Sequence, residues 1–99
     1  MSKQIIWSPS SEQDFAEILN YLNRKWNNRV AFQFINKTEY LLNQIAENPK
    51  QFPLINNSLK IRKCVLTKHN SLYYRTNTKH IEILRIYDSR QDPQKLTFN

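Results

Sequence analysis

The sequence predicts an α+β fold: a short N-terminal strand, an antiparallel two-helix hairpin and then a three-stranded antiparallel sheet. In the first half of the 99-residue chain, apolar residues recur twice with helical spacing. In the second half, three short runs rich in β-branched and aromatic residues follow one another. Asn and Pro separate these runs, in a chain that contains no glycine. The order β-α-α-β-β-β and the length predict one domain spanning residues 1–99.

The first two predicted elements are a strand at residues 3–7 and a helix that begins directly after it. Ser8 is suited to the N-cap of this helix and Pro9 to its first position. Asn27 and Asn28 are predicted to end it, because Asn adopts the left-handed conformation more readily than most residues with a side chain. One helical stripe of apolar residues lies between these signals: Phe15, Ile18, Leu19, Leu22 and Trp26.

A second helix is predicted from about residue 29 to residue 47. Asn48 and Pro49 end it, because Pro cannot continue a helix. Its apolar face comprises Val30, Phe34, Leu41 and Ile45. Two amphipathic helices joined by so short a break predict an antiparallel helical hairpin.

A loop at residues 51–58 and a strand at residues 59–67 come next. In a strand, alternate side chains lie on opposite faces. That alternation places Arg62 and Cys64 on one face of this strand. It places three apolar residues on the other face: Leu59, Ile61 and Val65. The sequence therefore divides this strand into an apolar face and a more polar one.

Two further strands are predicted at residues 71–76 and 81–87. In the earlier strand, Leu72 and Tyr74 lie on one face, and Tyr73 and Arg75 lie on the other. The later strand is apolar on both faces, which predicts a central position in the sheet. Residues 88–93 are predicted to form a turn, and Leu96 and Phe98 to anchor a C-terminal tail. The helices are expected to cover one face of the sheet, and the basic side chains to lie on the other face or its edge.

The composition excludes several classes of site. Without glycine the chain cannot form the phosphate-binding and nucleophile loops that depend on it. One cysteine and two histidines are too few for a disulfide framework or for most metal sites, so no metal and no cofactor are expected. No apolar run reaches the roughly 18 residues of a membrane span. The lone Cys64, together with the absence of a signal-peptide pattern, favours a cytoplasmic protein without a membrane partner.

The net charge of +7 is distributed unevenly. Residues 1–50 hold six basic and five acidic residues, a net charge of +1, whereas residues 51–99 hold nine and three, a net charge of +6. Between Leu59 and Ile81 there are six basic residues and no acidic one. Such a field attracts nucleic acid or an acidic protein. The alternative is solvation of a protein whose many Lys, Asn and Ile residues reflect an AT-rich genome.

Four segments together resemble one protein family. Residues 6–9, Ile-Trp-Ser-Pro before an acidic helix start, resemble its opening, and residues 47–49, Glu-Asn-Pro, resemble the close of its second helix. Residues 68–75 resemble its middle strand, and residues 81–93 its last strand with an Arg-bearing turn. In this order and spacing they resemble the RelE/ParE superfamily of toxins from bacterial type II toxin–antitoxin modules.

The resemblance implies a small cytoplasmic toxin that inhibits growth and is neutralised by a cognate antitoxin. RelE-like members cleave mRNA on the ribosome, whereas ParE-like members inhibit DNA gyrase. The mRNA-cleaving branch has an Arg just before the Leu-Tyr pair of the middle strand, where this chain has Ser71, and ends in a Tyr or His-Tyr that this chain lacks after Tyr87. Ribonuclease activity is therefore in doubt, and the ParE-like branch is favoured. A decayed toxin that acts only as an antitoxin-binding corepressor is a further alternative.

No catalytic residue is assigned from the sequence. His69 is suited to a general base, the role for which proteins most often use histidine, and its alternative is an exposed turn histidine. Arg85 lies within an apolar strand, where an unpaired charge is costly, so it should be snorkelling, paired or functional. Arg90 either contacts the target or fixes its turn by pairing with a nearby aspartate. With Arg62 these are the catalytic candidates. The surface predicted to bind target or antitoxin comprises Arg62, Lys63, Lys68, Tyr73, Arg75, Arg85, Tyr87 and Arg90.

Overall fold

The computed structural model describes residues 3–98, and Met1, Ser2 and Asn99 of the predicted domain lie outside them. The two helices and five strands are β1 (Gln4–Trp7), α1 (Pro9–Lys25), α2 (Asn28–Glu47), β2 (Leu54–Asn56), β3 (Ile61–Val65), β4 (Asn70–Thr76) and β5 (His80–Asp88). A short 3-10 helix, Pro93–Lys95, follows β5. The architecture is α+β, as the sequence predicts.

The sheet has five strands, in the order β1-β5-β4-β3-β2, rather than the predicted three. β1 joins it by parallel pairing with β5, with Ile5 opposite Ile81. β2 joins the other edge through β3, with Leu54 opposite Arg62, and so corrects the prediction that residues 51–58 are only a loop. Neither of these two strand pairings could be predicted from the sequence, because β1 pairs with a segment far along the chain and β2 is too short to show alternation. β5 lies inside the sheet between β1 and β4, as its two apolar faces predict, although the middle strand is β4.

A β-bulge in β5 sets which side chains reach the core. Opposite β4 the register shifts by one residue, so that Tyr74 pairs with Ile83 but Tyr73 pairs with Arg85, leaving Leu84 as the extra residue. Ile83 and Ile86 consequently both pack in the core beneath the helices. β5 therefore contributes apolar side chains to two separate clusters, one on each face of the sheet.

The larger cluster lies between the helices and the sheet and includes Phe34, Ile45, Leu72, Tyr74 and Ile81. The smaller one lies on the opposite face, where Leu96 and Phe98 of the tail pack against Ile61, Tyr73, Leu84 and Tyr87. The tail thus anchors as predicted. It also covers part of the sheet face that was expected to carry charge.

The predicted alternation of β3 is present, but burial does not follow its apolar face. Cys64 and Leu66 belong to the core beneath the helices, and Ile61 belongs to the cluster beneath the tail. Leu59 and Val65 are exposed. The tail packs around Tyr73, with the Phe98 ring 5.5 Å away, and contributes no cover for Val65. Burial therefore follows where the tail and helices lie, which the alternation alone does not reveal.

Side-chain caps connect the helices to the rest of the fold. The Ser8 hydroxyl accepts a hydrogen bond from the Ser11 amide at 3.0 Å and donates one to the Leu84 carbonyl of β5 at 2.9 Å. Asn27 caps α2 by accepting from the Val30 amide at 3.0 Å. Its φ of −171° is extended, so the predicted left-handed turn at this position is wrong. Asn27 separates the helices through its side chain instead.

Lys60, in the turn between β2 and β3, has a φ of 59°, in the left-handed region that costs a residue with a Cβ about 1–2 kcal/mol. Lys60→Gly should relieve this cost and forfeit about 0.5–1 kcal/mol of chain entropy, a net gain of about 0.5 kcal/mol in the free energy of unfolding. Urea denaturation measures the change. Lys79→Gly, in the turn before β5, is the control and should destabilise. Equal changes in the free energy of unfolding in the two variants would show that the backbone at Lys60 is not strained.

Candidate functional site

A groove of about 860 Å³ lies between the helical hairpin and one end of the sheet. Its walls come from α1 and α2 on one side and from the β3–β4 turn and the end of β5 on the other. Apolar side chains along it include Ile18, Leu22, Phe34, Leu66 and Ile86. Polar and charged side chains make up the rest of its lining, and a cleft that combines apolar surface with convergent polar groups is a common form of binding site.

Arg85 lies at one side of the groove in a bidentate ion pair with Asp14. Its Nε donates to Asp14 Oδ2 at 2.7 Å and its terminal nitrogen to Oδ1 at 3.0 Å. The same carboxylate accepts from the Ile86 amide at 3.0 Å. A further guanidinium nitrogen donates to the Thr97 carbonyl at 3.1 Å. The predicted pairing of this strand arginine is therefore present, and it ties α1, β5 and the tail together.

The Arg85 guanidinium remains fully charged at this position. The hydrogen bond to Asp14 raises its pKa above the ordinary value, against a smaller opposing effect of burial. Its Cζ lies 5.9 Å from the centre of the Tyr87 ring, within range of a cation–π contact. With three nitrogens bonded inside the protein, Arg85 serves first as a structural clamp.

Arg90 lies in the turn after β5 and pairs with Asp88, a nearby aspartate, which is one of the two roles predicted for it. Its terminal nitrogen donates to Asp88 Oδ2 at 2.6 Å, and its amide to Oδ1 at 2.8 Å. The hydrogen bond from Arg90 holds the pKa of the Asp88 carboxyl below its usual range. The Arg90 side chain is half exposed at the groove. Arg90 thus closes this turn and also faces the groove.

His69 lies on the groove wall, half-buried in the turn before β4. Its carbonyl accepts a hydrogen bond from the Ser89 amide at 2.7 Å, which joins this turn to the turn carrying Arg90. The structure therefore brings four predicted residues to one groove: His69, Arg85, Tyr87 and Arg90.

The other predicted site residues lie elsewhere. Arg62 donates to the Phe52 carbonyl at 2.7 Å and fixes the segment before β2, and Arg75 pairs with Glu82 at 3.4 Å. Tyr73 is buried beneath the tail, on the same sheet face as Lys63. Lys68 is exposed in the β3–β4 turn but does not line the groove. A basic residue in the second half of the sequence therefore does not predict that its side chain lines the groove.

Two hydroxyl- or thiol-bearing positions are enclosed within the fold. Ser71, where an mRNA-cleaving relative would carry Arg, is 5% exposed in β4 and does not line the groove. Burial raises the pKa of the Cys64 thiol to about 11, so this cysteine is a core residue rather than a nucleophile. Among the described residues, no group of His, Cys, Asp and Glu could hold a metal ion.

Comparison with known proteins identifies the family. The family model described as ParE toxin of type II toxin-antitoxin system, parDE, matches residues 5–93. The chain belongs to this family. The RelE/ParE resemblance found in the sequence is thereby confirmed. No curated protein matches the chain. In the described part of the chain, neither helix is both long and apolar enough to cross a membrane.

Solved structures of toxins share the fold. The chromosomal ParDE system from P. aeruginosa superposes with a TM-score of 0.74 at 17% identity, covering 88% of this chain and 96% of that one. YoeB from Staphylococcus aureus, solved as a dimer, gives 0.65 at 17% identity, with 88% and 97% covered. YafQ in the E. coli DinJ-YafQ toxin-antitoxin complex gives 0.61 at 15% identity, with 91% and 96% covered. At these identities the likeness concerns the fold alone.

The groove of this ParE-family toxin carries no net charge. Asp14, Glu17 and Asp88 balance Lys37, Arg85 and Arg90 along its walls. Two of the three cations are already paired with carboxylates. The excess of +7 therefore lies outside the groove.

Sequence reasoning missed several residues of the toxin's groove. Trp26 was assigned to the core stripe of the first helix, but its side chain is 63% exposed and lines the groove. Asp14 belongs to the acidic start of the first helix, and nothing near it in the sequence marks it as the partner of Arg85. Trp26 directly precedes the Asn27 cap, and a residue at a helix end is less enclosed than the stripe suggests. The position of Trp26 at the helix end was therefore the signal in the sequence for its exposure.

Acid should weaken the toxin's β5 turn. Because the pKa of Asp88 is lowered in the folded state, its carboxylate stabilises the fold above its ordinary pKa, and this contribution is lost as the pH falls through the folded value. Asp88→Asn should therefore be less stable than wild type at neutral pH and approach it below about pH 4. Urea midpoints at the two pH values measure this, with Glu12→Gln as control. A difference in urea midpoint between Asp88→Asn and wild type that does not change with pH would contradict this role of the Asp88 carboxylate.

Proposed function

We propose that this toxin arrests growth by binding a protein target, DNA gyrase, through the groove between the hairpin and the sheet. The observation that carries the proposal is the groove's balance: apolar side chains beside equal numbers of carboxylates and cations. Protein interfaces have this composition, with an apolar centre, aromatic residues and a polar rim. Trp26 and Tyr21, both exposed at the groove, are side chains of the kind that dominate protein–protein affinity.

Binding of RNA would favour a different arrangement. A site that holds a phosphodiester needs unpaired cations, and catalysis also needs a base and an acid beside them. Here two of the groove's three cations, Arg85 and Arg90, are bonded to Asp14 and Asp88. Ser71 is enclosed where the mRNA-cleaving branch has an arginine. These features support inhibition by binding rather than by cleavage.

Ribosome-dependent mRNA cleavage is the second candidate function. One observation favours it: His69 and Arg90 line the same groove, so a base and a phosphate-binding group occur together. In this case Arg90 would have to exchange Asp88 for the phosphate. The growth experiment described below separates the two candidates.

A cognate antitoxin is the partner proposed for neutralisation. The structural neighbour YafQ is solved in a toxin-antitoxin complex with DinJ. In this chain, the half that contains β3, β4 and β5 carries the +6 charge, which suits acidic residues of an antitoxin. The sheet surface and the groove are distinct, so antitoxin and target are not required to share every contact.

Induced expression tests the proposed function. Growth arrest with DNA-damage signalling and intact mRNA, as determined by primer extension, is the expected result. Codon-positioned cuts in translated messages would instead establish the endonuclease. Normal growth combined with tight antitoxin binding would identify a non-toxic corepressor.

A further inference from the structure

The outward face of α2 carries two exposed aromatic side chains. The buried residues of the helix, Ala31, Phe34, Thr38, Leu42 and Ile45, form one stripe toward the core. At about 3.6 residues per turn, Phe32, Asn36 and Tyr40 lie on the opposite side. Phe32 is 64% exposed and Tyr40 is 60% exposed. Neither residue lines the groove, so this face is a second surface of the molecule.

The residues of this face are arranged symmetrically about Asn36. Phe32 lies four positions before Asn36 and Tyr40 four positions after it. Arg29 and Asn43 lie seven positions before and after it. Arg29 is exposed near the start of the helix, and Glu39 is exposed three positions after Asn36. A helix surface with this symmetry is complementary to itself in the antiparallel direction.

We propose that α2 pairs with α2 of a second copy of this chain, antiparallel, about a two-fold axis at Asn36. Each Phe32 then packs against Tyr40 of the second copy, and the two aromatic pairs flank facing Asn36 amides. Aromatic pairs of this kind add to the energy of the apolar surface they bury. Facing Asn side chains satisfy one another and disfavour other registers, because a shift would set an amide against a ring.

Charge fixes the direction of the pair. In the antiparallel arrangement Arg29 lies opposite Asn43 of the second copy, one helical turn from Glu39. A parallel arrangement would place Arg29 beside Arg29 and Glu39 beside Glu39, and like charges repel. The contact is isologous, so both copies use the same face and assembly stops at the dimer.

The same geometry leaves the groove open in both copies. Of the α2 residues on the groove, Gln33 is the nearest to the pairing face, whereas Val30, Phe34 and Lys37 lie farther around the helix. The dimer therefore presents two grooves. A single helix pair is smaller than a standard interface, so the dissociation constant should be on the order of 100 μM.

Sedimentation equilibrium of the full chain tests the pairing. The wild type should rise from 12.0 kDa when dilute toward about 24 kDa, twice that mass, at about 0.5 mM. Phe32→Glu should remain at 12.0 kDa, with an unchanged circular dichroism spectrum. Leu59→Glu, an exposed apolar residue of the β2–β3 turn, is the control and should associate like wild type.

Charge reversal gives a second, independent test. Arg29→Glu should weaken association about 10-fold, and Arg29→Glu combined with Glu39→Arg should restore it. A wild type that stays at 12.0 kDa at all concentrations, or equal association of Phe32→Glu and wild type, would overturn the proposal. Equal losses in the Leu59→Glu control, or no recovery in the reversed pair, would overturn it as well. None of these outcomes depends on the toxin's cellular target.

Discussion

Asp14→Ala lowers the free energy of unfolding by about 3 kcal/mol, a large share of what a small domain has. The substitution leaves the largely buried Arg85 guanidinium without its bidentate partner and the Ile86 amide without its acceptor. It also disconnects α1 from the part of β5 that lies beyond its pairing with β1. Urea denaturation monitored by circular dichroism measures the loss.

Glu17→Ala is the matched control for this prediction. Glu17 is an exposed carboxylate one turn farther along α1, and its hydrogen bond to Gln13 is at the surface. Its removal should change the free energy of unfolding by less than about 0.5 kcal/mol. If Asp14→Ala cost no more than Glu17→Ala, the clamp would not support the fold.

Trp26→Ala weakens binding of the target about 30-fold, the loss typical of a tryptophan at the centre of an interface. Trp26 is 63% exposed at the groove, so its removal takes little from the core. Growth arrest should then require correspondingly more protein. Surface plasmon resonance against immobilised gyrase measures the affinity, and a titrated promoter measures the arrest.

Val65→Ala serves as the control for Trp26→Ala. Val65 is similarly exposed, at 59%, but it lies on β3 and does not line the groove. Its removal should leave affinity and growth arrest as in the wild type. Equal losses in the two variants would show that the groove is not the contact surface.

Local signals in the sequence account for most of the fold. Ser8 and Pro9 set the start of α1, and Asn48 follows the end of α2, because caps and proline act on their immediate neighbours. The apolar character of both faces of β5 placed that strand inside the sheet. Each of these inferences depends on residues close together in the chain.

The remaining features depend on contacts between distant segments. The Asp14–Arg85 pair joins residues 71 positions apart, and the bulge at Leu84 appears only when β4 and β5 are aligned. Arg62 resembles a binding residue in the sequence, but it donates to main-chain carbonyls that come near it only in the folded chain. Four residues of the groove were therefore singled out in the sequence, His69, Arg85, Tyr87 and Arg90, whereas the apolar side chains beside them and the groove's neutrality were not.

DNA supercoiling by purified gyrase is the most direct test of the proposed mode of action. Saturating toxin should abolish supercoiling, and the same amount of Trp26→Ala should leave most of it, because the groove is proposed to make the contact. Full gyrase activity at saturating wild-type toxin would contradict the account.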